Sequence, residues 1–105
     1  MNANKIQVII ISQQSLFRQG IEHSLSEVKD MAVTGTAKVN EEVLSAIDIL
    51  PPDVALVDLD GPSDSGLELA RKIKQRSPNI GVIVLTSTPD DGQLFQALKA
   101  QAVAY

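Results

Sequence analysis

The sequence predicts a single open α/β domain: a doubly wound parallel sheet of flavodoxin-like topology, with helices on both faces. Three observations predict it. Apolar runs recur with a spacing of about 25 residues, the rhythm of βα units. Three of the four runs are continuous rather than alternating, as in strands covered on both faces. Between them lie stretches with helical periodicity, each with its own start and stop signals.

The runs Ile6 to Ile11, Val54 to Leu59 and Val82 to Leu85 are rich in Val and Ile and read as central strands. Met31 to Ala37 is more polar and carries Gly35, so it reads as an edge strand. Ser15 is expected to cap a first helix with Phe17, Ile21, Leu25 and Val28 on its buried stripe. Asn40 is expected to cap a second, with Val43, Leu44, Ile47 and Leu50 inward, ended by Pro51-Pro52. Ser65-Gly66-Leu67-Glu68 fits a capping box opening a third helix, which runs through Ile73 and stops before Pro78. Thr88-Pro89-Asp90-Asp91 starts a fourth, with Leu94, Phe95 and Leu98 inward. Ala102-Val103-Ala104-Tyr105 begins a fifth strand, and right-handed crossovers give the strand order 2-1-3-4-5. Such a sheet needs a helix after its fifth strand, and residues 1–105 encode none. The expectation is a domain truncated within or just after that strand, its open face covered by further chain or by another protein.

With 105 residues there is room for one domain and a modest core. Thirteen acids against nine bases give a net charge of −4, which argues against direct binding of nucleic acid or of an anionic membrane by this segment. The lack of cysteine excludes disulfides, thiol chemistry and Cys-based zinc sites. His23 is the single histidine, so multi-histidine metal sites are excluded; it reads as a solvated residue on helix 1. No apolar run approaches a membrane span and Met1–Lys5 has no signal-peptide core, so a cytoplasmic setting is expected. Arg71, Lys72, Lys74 and Arg76 read as the solvated face of helix 3.

Ligands of such sheets sit at the carboxyl ends of the strands, where the order reverses between strands 1 and 3. Asp58 ends strand 3, Ser12 and Gln13 follow strand 1, Thr86 ends strand 4 and Tyr105 lies on strand 5. This layout resembles the receiver domain of two-component response regulators over essentially the whole chain. Pro52-Asp53-Val54-Ala55-Leu56-Val57-Asp58-Leu59 is similar to the strand that bears the phosphoacceptor aspartate. Pro62 and Gly66 fit the loop after it, Val82-Ile83-Val84-Leu85-Thr86 the strand ending in the switch hydroxyl, and Ala102-Val103-Ala104-Tyr105 the switch aromatic. Leu16-Phe17-Arg18-Gln19-Gly20 resembles the first helix of the LuxR/NarL-type branch, whose members usually carry a C-terminal helix-turn-helix.

The resemblance implies phosphorylation of Asp58 by a histidine kinase, with Thr86 and Tyr105 as switch residues, a DNA-binding output domain beyond this chain and scope for a homodimer. It also implies two acids after strand 1 that hold magnesium, and here Ser12 and Gln13 stand in their places. At an effective dielectric of 20, a carboxylate about 4 Å from a divalent ion contributes roughly 8 kcal/mol before dehydration costs. Losing two such groups leaves a degenerate pocket: no cofactor is expected, and Mg²⁺ only weakly through Asp58 and the Asp60 carbonyl. The Asp58 carboxylate is then expected to be settled by the hydroxyl of Ser12 or Thr86, and signalling to be weak or independent of phosphorylation. An enzyme is not expected. The alternative is a haloacid-dehalogenase-like phosphatase using Asp58 and Asp60, which Val57-Asp58-Leu59-Asp60-Gly61 resembles. Its motif normally follows the first strand, however, and Pro62 replaces the usual threonine. A flavin or nucleotide module is disfavoured because Ser12-Gln13-Gln14-Ser15 offers no glycine for close phosphate approach.

Overall fold

The computed structural model describes residues 5–59 and 65–85. The expected fourth helix and fifth strand, and with them Asp60, Thr86 and Tyr105, lie outside the described residues. Seven elements alternate along the described chain: β1 (Ile6–Ile11), α1 (Ser15–Ser26), β2 (Met31–Ala37), α2 (Glu42–Ile49), β3 (Val54–Asp58), α3 (Ser65–Arg76) and β4 (Gly81–Leu85). The strands are parallel and ordered β2-β1-β3-β4, so the reversal falls between β1 and β3 as expected.

The strand pattern sorts side chains to two faces. Ile9, Ile11, Ala55, Val57, Val82 and Val84 are buried in one core with Val43, Leu44 and Ile47 of α2 and Leu69, Ala70 and Ile73 of α3. Val8 and Ile10 are also buried, while Leu56 and Ile83 are only half-buried. α1 lies against β1 and β2 and contributes no fully buried residue. β2 is an edge strand, and its pairing with β1 slips by one residue at Thr34, between the pairs Val8–Val33 and Ile9–Gly35. At the amino ends of the strands, the Gln7 amide donates to Asp53 Oδ2 at 2.7 Å and the Asp53 amide to the Gln7 carbonyl at 2.8 Å.

Four expectations about helix faces and ends need correction. Ser15 is the first residue of α1 rather than its cap; Gln14 holds the cap position in extended geometry, and no side chain of its own closes the helix. Phe17, Ile21 and Leu25 are half-buried, and Val28 lies past the helix end and is exposed, because the chain turns at Glu27 to reach β2. Leu50 is 59% exposed: the proline pair after it excludes helical geometry, and its φ of −139° and ψ of 85° carry it off the α2 stripe. Asn40 is likewise not at the cap position, which Glu41 holds, but from one residue earlier its Oδ1 accepts the Glu42 amide at 2.9 Å.

Candidate functional site

Parallel pairing of Ile11 with Val57 brings the next residues of both strands, Ser12 and Asp58, side by side at the carboxyl rim. Both are buried, and they are the only buried polar or charged residues among those described. The Ser12 hydroxyl donates to Asp58 Oδ2 at 2.7 Å, and Ser12 Oγ in turn accepts the Gln14 amide at 3.0 Å. A carboxylate accepting a hydroxyl proton at this distance makes a charge-assisted bond, stronger than a neutral one. Ser12 is one of the two hydroxyls the sequence offered to Asp58; the other, Thr86, lies outside the described residues.

The backbone around Ser12 is fixed as well. Its amide donates to the Ala37 carbonyl at 2.9 Å, and Nη1 of Arg18, from the first turns of α1, donates to its carbonyl at 2.6 Å. Gln13 reaches across to the loop after β2. Its Oε1 accepts the Val39 amide at 3.1 Å, and its Nε2 donates to the Val39 carbonyl at 3.4 Å. Neither the Gln13–Val39 pair nor the Arg18 contact was foreseen from sequence. The first links residues 26 apart and leaves no local pattern; the second stood only as part of a family-like stretch.

On the other side of Asp58, α3 begins against the strand end. A Cβ on Gly66 would stand 2.8 Å from the Asp58 carbonyl oxygen and 3.5 Å from Leu59 Cα, so only glycine allows this approach. The Leu59 amide donates to the Leu85 carbonyl at 2.8 Å, extending the ladder to β4 beyond Asp58.

The expected basic face of α3 is an ion-paired one. Lys72 pairs with Glu41 and Arg76 with Asp48, bridging α3 to α2, while Arg71 pairs with Glu68 at 3.3 Å. Lys74 donates to the carbonyls of Pro78 and Ile80, 2.9 Å each. The Lys72 ammonium, bonded to Glu41, holds that carboxyl below its usual range, and Glu41 in turn raises Lys72. An open groove of about 560 Å³ runs there, lined by Glu41, Leu44, Ser45, Lys72, Gln75 and Arg76; it includes no residue of the Asp58 site. His23 is exposed, as expected.

Comparison with known proteins now bears on this rim. The model of the response regulator receiver domain matches residues 8–105. The chain belongs to that family. It is 32% identical over its full length to the uncharacterized transcriptional regulatory protein YxjL of Bacillus subtilis, covering 48% of that protein. It is 33% identical over 100 residues to the response regulator GacA of Pseudomonas aeruginosa, covering 95% of this chain and 47% of GacA. The chain thus spans about half the length of the curated relatives it matches. Among solved structures, the receiver domain of a NarL response regulator from Mycobacterium tuberculosis superposes with a TM-score of 0.85 at 27% identity, over 96% of this chain and 82% of that one. A LuxR-family regulator from Aurantimonas sp. SI85-9A1 shares the fold, with a TM-score of 0.87 at 21% identity, over 96% and 72%. This receiver domain is therefore of the LuxR/NarL type, and nothing in these matches supports the phosphatase alternative.

The family's magnesium can be tested against the donors present. The Ser12 proton points at Asp58, and the Gln13 amide is turned to the Val39 main chain. Among the described residues no three Asp, Glu or His side chains gather at metal-ligating distance. Among the described residues Asp58 is the one carboxylate at this end of the sheet, and octahedral magnesium is poorly served by these donors.

Proposed function

We propose that this receiver domain is an atypical signal-input module in which hydrogen bonds replace the metal cage. Asp58 holds the phosphoacceptor position, Thr86 and Tyr105 the switch positions, and Ser12, Gln13 and Asp60 form the degenerate metal pocket. Mg²⁺ binds weakly if at all, through Asp58 and the Asp60 carbonyl, and the domain has no catalytic activity of its own. Phosphorylation by a histidine kinase is inefficient, and control rests mainly on protein contacts. The observation that carries this reading is the buried Ser12–Asp58 hydrogen bond, in which a hydroxyl donor stands beside the carboxylate where a cation would need a second anionic ligand.

Residues 1–105 constitute one receiver domain of a longer cytoplasmic transcriptional regulator, continuing past Tyr105 into a DNA-binding output domain. The half-length match to transcriptional regulators supports this. So does a related structure, RcsB from Salmonella enterica serovar Typhimurium bound to promoter rprA, which is 26% identical and covered over 58% of its chain. The net charge of −4 leaves DNA binding to the output domain. No described helix is long and apolar enough to cross a membrane.

Incubation with Mg²⁺ and a small acyl-phosphate donor, followed by intact-mass measurement, tests the reading. Little or no gain of a phosphoryl group is expected over times in which an ordinary receiver is fully modified. Rapid gain that is abolished in Asp58→Asn overturns it.

A further inference from the structure

We propose that Ser12, Gln13 and Gln14 form a hydrogen-bond relay that carries the state of the Asp58 carboxylate to the start of α1 and to the loop between β2 and α2. The inference rests on the metal-poor reading of the pocket and adds the route by which such a pocket would act.

A serine hydroxyl has one proton, and Ser12 directs it to Asp58 Oδ2. The orientation that this bond fixes also aims a lone pair at the Gln14 amide, at the cap position of α1. Gln14 makes no side-chain cap hydrogen bond, and the Ser12 oxygen is one of the polar contacts that hold the entry of the chain into α1. Arg18 ties the Ser12 carbonyl to the same helix. A change at Asp58 that removes the acceptor, or demands a different donor, releases the hydroxyl and with it the geometry of residues 12–14.

The second branch runs through Gln13. Its side-chain amide grips both main-chain groups of Val39, and the Ser12 amide holds Ala37, so residues 12 and 13 fix the loop at two points. Val39 is buried in the main core, and Asn40 beside it accepts the Glu42 amide at the start of α2. Displacement of the Gln13 backbone is thereby transmitted to the start of α2. The outer side of this edge is open: Gln13, Gln14, Asn40 and Glu41 are exposed, and Leu16 is an exposed apolar side chain, 81% accessible. The residues that replaced the acids are thus the ones that join Asp58 to two helices.

The test is a double-mutant cycle read by ¹⁵N–¹H chemical shifts and amide exchange in the 105-residue chain. Asp58→Ala is expected to move the Gln14 and Val39 amide resonances beyond their linewidths and to speed exchange severalfold in residues 37–43. In a Ser12→Ala background the same substitution should leave both resonances in place. Equal shifts in the two backgrounds, or changes confined to residues 57–59, overturn the relay. Gln13→Met provides a second route should Ser12→Ala fail to fold. It should silence the Val39 response and preserve that of Gln14, and an unchanged Val39 response overturns the proposal. A Mg²⁺ titration in the same spectra separates the two readings: a saturating response at Asp58 overturns the metal-poor pocket, whereas an additive cycle overturns the relay alone.

Discussion

The resemblance to receiver domains implies an acid at the position of Ser12, and the difference is one of charge. A carboxylate beside Asp58 would repel it unless a cation stood between them; a hydroxyl donates to it at 2.7 Å. Ser12→Asp should therefore lower the melting temperature in chelator and recover it in millimolar Mg²⁺, while the wild type responds little to either, as thermal melts would show. Ser12→Ala should cost about 1–3 kcal/mol in chemical denaturation, because a buried carboxylate loses a donor. Much of this site was legible in the sequence. The convergence of Ser12 and Asp58 follows from strand-end positions in a parallel sheet, and a hydroxyl partner for Asp58 follows from the missing acids. The clamp of Gln13 on Val39 was not legible, because a glutamine side chain reaching a distant main chain leaves no periodicity.

At the scale of elements, Val43, Leu44 and Ile47 of α2 were readable because apolar spacing reports the buried face. The exposed ends, Val28 and Leu50, were misread because spacing alone does not show where a helix stops. Gly66 was read as part of the loop after β3 and the opening of α3, and its deeper reason is the approach of α3 to the Asp58 carbonyl. Gly66→Ala should destabilise the fold by about 1–3 kcal/mol through that clash, measurable by denaturant titration. The exposed bridges between α2 and α3 act differently. Glu41 has its folded-state pKa lowered, so its small contribution is present above the ordinary carboxylate range and fades as pH falls through the folded value. Lys72 has its pKa raised, so its contribution is complete below its ordinary value and is lost as pH rises through the folded one. Lys72→Met should leave stability nearly unchanged at neutral pH, and any difference from wild type should vanish in molar salt.

Over the whole molecule the two sheet faces are unequally filled among the described residues. α2 and α3 bury Ile47 and Ile73 completely, whereas α1 presents Ile21 only half-buried. Ile73→Ala should cost about 2–5 kcal/mol, and Ile21→Ala roughly half as much, since the same side chain gives up less buried area in this chain. Equilibrium unfolding of the two variants side by side checks the difference. The parallel order was legible because continuous Val and Ile runs need cover on both faces; the unequal filling was not, because a stripe shows which way a helix points and not how deeply it sits.

The one-residue slip at Thr34 has a consequence for the rim. Were β2 to run flat beside β1, with Thr34 opposite Ile9, then Thr36 would oppose Ile11 and the Ala37 carbonyl would overshoot the Ser12 amide. Val39 would be carried one step beyond the grasp of Gln13. The surplus residue takes up this slack, so a kink in the middle of an outer strand acts as a spacer that sets the far wall of the pocket.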